Sequence, residues 1–308
     1  MLWLFLACAD EVNETETVEQ VEDINEEGEA QVEELDLSDP IDNTKAFVKM
    51  RGSLDETEEV VFYWHGYIYN HETAAPTDPV VTSYGAYPIM AFEGYNIARL
   101  EKISDTEYQM LSREITVYKN LFGNVIDCFD TFNLGAETPQ FVPVVHVKND
   151  PVNFVVGESY YKELGDLIVW DMDMFLSYES PLPIEEYPLY SASNTYQSVE
   201  LFDFYTQRAD LEDPTQNSVP VHLSWVRHGQ YLPWMQMGQQ QGHLVYHAQG
   251  YKVMDGWDGL PDELKKWTED NAPEYKHAPE HTILGPNVTS WRYMKSLLED
   301  DLYPSSCN

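Results

Sequence analysis

Basic residues are scarce in this chain. Seventeen Lys and Arg stand against fifty-four Asp and Glu in 308 residues, for a net charge of −37. Such a surface repels the phosphates of nucleic acids and anionic lipid headgroups, so neither is expected as a partner. Part of the imbalance is local, because Asp10 to Asp42 holds fifteen acids and no Lys or Arg, yet acids outnumber bases in the rest of the chain too. Cysteine is sparse as well. Cys8, Cys128 and Cys307 show no metal-type spacing and no paired framework, which argues against a zinc site or a disulfide scaffold. Cys128, in the apolar run Val125 to Phe129, reads as a small buried hydrophobe. A nucleophile elbow, a phosphate loop, a dinucleotide fingerprint and a zinc-protease helix are all absent, and no internal repeat is visible. No cofactor and no metal is therefore expected, although enzymes that assemble a site from scattered strands remain open.

One further absence is local and informative. Pro220 to Gly250 contains no carboxylate, but it holds Trp225, Trp234, Tyr231, Tyr246, four His and a single Arg, Arg227. In so acidic a chain that exclusion predicts an interior wall. Val219 to Arg227 and Gly242 to Gly250 read as two strands of one antiparallel hairpin. Strand alternation puts Leu223, Trp225 and Arg227 on one side, with His222, Ser224, Val226 and His228 on the other. Metal chelation by a His pair on one strand is ruled out by reach, because residues four apart on a strand lie about 13 Å from each other.

The remainder of the chain supports a β-rich reading. Val60 to Tyr69, Tyr84 to Lys102, Glu107 to Lys119, Val125 to Phe132 and Phe141 to Val147 are strand-like runs bounded by turn formers. Alternation sets Glu93, Tyr95, Ile97 and Arg99 on one face, and Phe92, Gly94, Asn96, Ala98 and Leu100 on the other. Arg113 likewise shares a side with Leu111, Ile115 and Val117, whereas Glu114 aligns with Ser112, Thr116 and Tyr118. Asn149 to Asn153 reads as a turn. Asp171 to Ser191 reads as loops or short strands over the sheet, and Ser198 to Leu211 as a short helix. Pro261 to Asn271 and Thr289 to Asp300 read as helices, the first opening on Pro and acids, the second with Trp291, Met294, Leu297 and Leu298 at helical spacing. The fold expected is mainly β, of β-rich α+β type: an antiparallel barrel or strongly curved sheet with a few peripheral helices, spanning residues 44–303.

Ahead of it, residues 9–43 read as a disordered acidic tether with too few apolar groups to offset chain entropy. Residues 1–8, MLWLFLAC, read as the end of a lipoprotein signal with Cys8 as the lipidated residue; the apolar run is too short to span a bilayer. The expected location is the cell envelope, lipid-anchored or exported, with membrane contact only through Cys8.

Six blocks, FVKMRGSLD at Phe47, FEGYNIAR at Phe92, LSREITVY at Leu111, VVHVKNDPVNF at Val144, LSWVRHGQYLPWMQMG at Leu223 and GPNVTSW at Gly285, together resemble a family of domains of unknown function, DUF1838. The resemblance spans Phe47 to Leu298. It implies one domain and brings no activity with it.

Function is therefore sought in polar residues set among apolar strands. Buried charges need counter-charges or a ligand, which makes Glu93, Arg99, Arg113, Glu114, Trp225, Arg227 and Trp234 the candidate ligand-binding residues, the alternative being a network satisfied within the protein. The expected partner is a small, partly apolar organic molecule in an aromatic-lined pocket. A first alternative is an enzyme using His65, His146 or His247 as general base and an Arg to hold charge developing on oxygen. A second is a surface interaction protein, with a filled interior and an exposed aromatic patch.

Overall fold

The computed structural model describes residues 35–71, 88–240, 242–282 and 285–307. Cys8, the apolar run before it and the acidic tether up to residue 34 lie outside the described residues.

The first element is a helix, α1 (Pro40–Arg51), where the acidic composition had suggested only tether up to Asn43. Asp39 caps it by accepting from the backbone N–H groups of Ile41 and Asp42, Pro40 occupies the first turn, and Lys49 and Arg51 stand in the last turn, where the helix dipole favours cations. Leu37 and Asn43 are buried, and the Asn43 amide donates to the carbonyls of Leu37 and Ser159. Acids that look like tether on composition thus serve as a cap and a first turn.

Eleven strands follow among the described residues. They are β1 (Val60–His71), β2 (Pro88–Ser104), β3 (Glu107–Lys119), the short β4 (Cys128–Asp130) and β5 (Phe141–Pro143), then β6 (Val147–Gly157), β7 (Tyr161–Leu164), β8 (Leu167–Glu179), β9 (Thr195–Gln207), β10 (His222–Gly229) and β11 (His243–Val253). Short helices intervene: α2 (Arg208–Glu212), α3 (Asp262–Asn271) and α4 (Ser290–Glu299). Nine of the strands form one antiparallel sheet in the order β6-β3-β2-β1-β11-β10-β9-β8-β7, while β4 and β5 pair separately. The sheet curls into a half-barrel, so the strongly curved antiparallel sheet with peripheral helices is the observed architecture.

Three local expectations are corrected. Ser198 to Leu211 is strand for most of its length, because Val199, Phe202, Phe204, Tyr205 and Thr206 favour a pleated surface and β9 is paired along its length with β8 and β10. Asp171 to Ser191 begins inside β8, whose thirteen residues reach Glu179. Asn149 to Asn153 is no turn but the middle of β6, where the register against β3 shifts between Ser112 and Glu114, as at a bulge. The two predicted C-terminal helices are present as α3 and α4, the latter capped by the Thr289 side chain.

Both faces of the sheet are covered, but unequally. On the convex side, Val61, Tyr63, Tyr95, Ile97, Ile115 and Val117 form a cluster beneath Leu260, Leu264 and Tyr275 from the α3 region. The first half of β1 is accordingly buried on both faces, and its second half exposes outward residues such as His65 and Tyr67. A larger apolar cluster lies on the other side of the sheet. Cys128 and Cys307 are joined in a disulfide that fastens the chain beyond α4 to β4, which corrects the reading of Cys128 as an unpaired hydrophobe. Among the described residues no helix is long and apolar enough to cross a membrane.

Candidate functional site

The concave face and α4 bound a half-open cavity of about 1160 Å³. Its walls follow from strand alternation. Trp64 of β1, Asn96 of β2, Glu114 of β3 and Asn149 of β6 face it from one half of the sheet. Glu200 and Phe202 of β9, Trp225 and Arg227 of β10 and Tyr246 of β11 face it from the other. Rings pack edge to face or stacked along this wall: Trp225 lies 5.7 Å from Phe202, 5.8 Å from Phe92 and 6.4 Å from Trp64 between ring centroids.

Glycine makes room at two places. Trp64 is paired across the strands with Gly94, and a Cβ there would come 2.9 Å from the indole Nε1 and 2.8 Å from Thr116 Oγ1. A Cβ on Gly229, opposite Ser198, would come 3.1 Å from Arg227 Nη2. The indole depends on a glycine in the neighbouring strand, and the guanidinium on a glycine two residues further along its own strand.

Arg227 organises the polar part of the cavity. Its Nη2 donates to the Tyr196 hydroxyl at 3.1 Å, its Nε lies 3.5 Å from Glu200 Oε1, and its guanidinium carbon lies 4.9 Å from the Tyr246 ring and 5.7 Å from that of Trp291. The Tyr196 hydroxyl lies 3.0 Å from Ser198 Oγ as donor. Burial opposes the Arg227 charge, but Tyr196, Tyr246 and Glu200 outweigh it and move its pKa upward. Glu200 is raised by burial, and the Arg227 charge and bonds from Trp225 and Arg227 pull it back. Glu114 is pushed up to about 7, first by burial and then by the charge of Glu200, against a hydrogen bond from Asn149 and the attraction of Arg227. Around this group four buried polar atoms have no protein partner: Arg227 Nη1, Trp64 Nε1, Asn96 Oδ1 and Asn149 Oδ1.

The opening is covered by a segment stitched to β6. Asn287 Oδ1 accepts from the Asn153 backbone N–H at 2.8 Å while its Nδ2 donates to the Asn153 carbonyl at 3.0 Å, and the Val288 N–H donates to the Pro151 carbonyl at 2.9 Å. Thr289 then caps α4, which drives Trp291 against Tyr196, with ring centroids 4.6 Å apart. The NDPVN and GPNVTSW stretches, far apart in sequence, together hold the cover in place.

The sequence candidates divide between the two faces. Glu114, Trp225 and Arg227 line the cavity. Glu93, Arg99 and Arg113 do not: they point to the convex face and find protein partners there, although Arg99 Nε is buried without one. Glu93 pairs with Lys119 at 2.5 Å and accepts from the Tyr63 hydroxyl. Arg113 pairs with Asp150 at 2.9 Å and donates to the carbonyls of Glu274 and His277. Arg99 donates to the carbonyls of Pro279 and Glu280. Trp234 is core, packed on Tyr118 and Phe129 behind the wall.

The three histidines proposed as bases are likewise elsewhere. His65 and His247 are exposed, on the convex face. His146 is held between Tyr118 and Trp267, accepts from the Tyr118 backbone N–H through Nδ1, and is kept neutral, pushed down to about 4 by burial and then by the Lys148 charge. The carboxylate-free hairpin is thus an interior wall on one side only; its outward positions carry His222, Ser224, Val226 and His228 on β10 and His243, Val245 and His247 on β11. Among the described residues no three His, Cys, Asp or Glu gather as a metal site would.

Several cavity residues escaped the sequence reading. Glu200 and Tyr196 lie in and beside the stretch read as helix; period-two alternation of Ser198, Glu200, Phe202 and Phe204 would have placed the acid on an aromatic face. Trp291 was read as the apolar stripe of a helix, which does not reveal that it closes a cavity.

A family model described as a protein of unknown function (DUF1838) matches residues 57–298. No curated protein matches the chain.

Proposed function

The chain belongs to the DUF1838 family, and on the character of its cavity we propose that it holds a small, partly apolar organic molecule inside the curved sheet. The observation that carries this reading is that four side chains lining one aromatic-walled space of about 1160 Å³, those of Trp64, Asn96, Asn149 and Arg227, each hold a buried polar atom without a protein partner. An unmade hydrogen bond in the interior costs about 1–3 kcal/mol, so several in one cavity favour a bound group that completes them. Trp64, Phe202 and Trp225 supply apolar contact. Arg227, Glu200, Asn149 and Asn96 orient the polar end. A protein acting only through its surface calls for a filled interior, which the cavity disfavours.

Native mass spectrometry of protein purified from its own host tests the proposal. The expected result is a retained organic mass that leaves on denaturation. A clean apo mass, with no apolar probe bound by the wild-type protein, overturns it.

A second reading, in which the bound molecule is also converted, rests on one observation: Glu114 titrates at about 7 beside a second carboxyl, Glu200, that is paired to Arg227. Such a pair suits proton transfer at neutral pH, and in this reading Glu114 takes the role that His65, His146 or His247 was expected to fill. Loss of turnover in Glu114→Gln with retained binding supports it.

The proposal also keeps the protein at the cell envelope, exported or anchored through Cys8. The Cys128–Cys307 disulfide supports an oxidising compartment. Membrane association that survives Cys8→Ser counts against the anchor.

A further inference from the structure

The other end of the cavity holds a second arginine. Arg51 is the last residue of α1 and stands in the FVKMRGSLD block. Its guanidinium carbon lies 4.8 Å from the Phe62 ring centroid and 4.7 Å from that of Phe204, a cation between two aromatic faces. Arg51 lines the cavity and is half-buried.

What it lacks is an acid. Among the described residues no carboxylate lies within ion-pair distance of Arg51, and its one side-chain hydrogen bond is a long contact of 3.9 Å from Nη2 to the Met110 sulfur. The nearby cation Lys252 is satisfied differently, through the carbonyls of Lys49 and Gly52, and Lys49 through those of Leu211 and Asp213. Neither lysine offers Arg51 any compensation. Burial lowers the Arg51 pKa to about 10, so it stays charged at neutral pH. Two aromatic faces stabilise a desolvated cation, and the C-terminal end of α1 adds to this. These contacts leave the donors of the guanidinium largely unused. Arg227 differs, having both Glu200 and Tyr196.

An aromatic run connects the two ends. Phe204 stacks on Phe202 at 6.1 Å, Phe202 on Trp225 at 5.7 Å, and Trp225 lies 5.8 Å from Tyr246, against which Arg227 rests. The cavity lining carries Arg51, Arg227, Arg292 and Lys295 against Glu114, Glu179, Glu200 and Glu299, of which Glu179, Arg292 and Glu299 are exposed. Of the less exposed cations, Arg227 has Glu200 and Lys295 has Glu299, and Arg51 has no acid beside it among the described residues. A ring-lined space beside a guanidinium with no acid partner favours an occupant that brings the negative group.

Resting on the small-molecule reading above, we propose that the occupant is an amphipathic anion whose carboxylate, phosphate or sulfonate is seated on Arg51, with its apolar body along Phe202 and Trp225. A fork of N–H donors matches such oxyanions in two-point contact.

Two dyes that share their rings separate the possibilities: anilinonaphthalene sulfonate, an anion, and phenyl naphthylamine, its uncharged counterpart. Fluorescence titration of the wild type is expected to show both binding, each displacing the other. In Arg51→Gln the sulfonate is expected to bind roughly tenfold or more weakly while the neutral dye is unchanged, which also shows that the cavity is intact. Arg51→Lys, which keeps the charge and loses the fork, is expected to lose several-fold for the sulfonate alone, and decides the matter if the glutamine variant does not fold. Equal affinity for the sulfonate in wild type and in the variant that folds, or equal weakening of both dyes, overturns the Arg51 seat. Weakening in Arg227→Gln but not at position 51 moves the seat and overturns it as well. Failure of both dyes to bind the wild type instead defeats the small-molecule reading on which the proposal rests.

Discussion

Glu114 and Glu200 interact across the cavity from β3 and β9, strands separated within the sheet by four others. At about 4.8 Å per strand, a flat sheet would hold them roughly 24 Å apart, where screening removes most of their interaction. The charge of Glu200 nevertheless helps to keep Glu114 protonated. Curling of the sheet is what turns two distant carboxyls into a pair.

Linkage fixes the pH response of Glu114. Its carboxyl rises from 4.5 to about 7 on folding, so the folded state holds the proton more tightly than the unfolded chain. The contribution is fully present below pH 4.5 and is lost as pH rises to about 7. Glu114→Gln is expected to flatten that decline and to be more stable than wild type above pH 7, by up to about 3 kcal/mol. Urea denaturation at pH 5 and pH 8 measures it, and parallel curves for the two proteins would refute the assignment.

Gly94→Ala is expected to destabilise by about 1–3 kcal/mol through overpacking. Its Cβ meets the Ile115 carbonyl oxygen as well as the Trp64 indole and Thr116. Because the Ile115 contact is backbone, trimming the indole in Gly94→Ala/Trp64→Phe is expected to recover little. Full recovery in the double variant, read by thermal unfolding, contradicts this geometry.

Trp291 is buried against Tyr196 and the Arg227 guanidinium where α4 covers the cavity. Trp291→Ala is expected to cost about 3–5 kcal/mol, as large core truncations do, and to speed release of bound phenyl naphthylamine. Trp291→Phe is expected to keep most of both properties. Stopped-flow dilution gives the release rate; an unchanged rate in the alanine variant shows that the molecule leaves by another route.

The disulfide ties the C-terminal segment behind α4 to β4 across 179 residues of sequence. Cys307→Ser is expected to lower stability by about 2–4 kcal/mol, with the wild type under reductant falling to the same value. A melting temperature that ignores both changes excludes a stabilising bond.

His65 and His247 are exposed on the convex face, away from the cavity. His65→Ala/His247→Ala is expected to bind both dyes as the wild type does. A loss of affinity there would move the site to the outer face.

Much of this was legible in the chain itself. Residue chemistry and period-two alternation determine which side of its strand each residue takes: Glu114 with Thr116 and Tyr118, Trp225 with Arg227, Glu93 with Arg99. They also mark the hairpin and the two C-terminal helices. Alternation is local, so it separates two faces without saying which is concave. Tertiary structure alone decided that Arg99 and Arg113 meet backbone carbonyls near α3, whereas Arg227 meets Glu200 and a cavity. It also overrode local propensity in β9, where pairing on both sides extends a segment with a helical stripe, and it brought Cys307 to Cys128. The sequence determined the pleat and its two chemistries; sheet curvature and the docking of α4 decided which one encloses space, because long-range packing sets both.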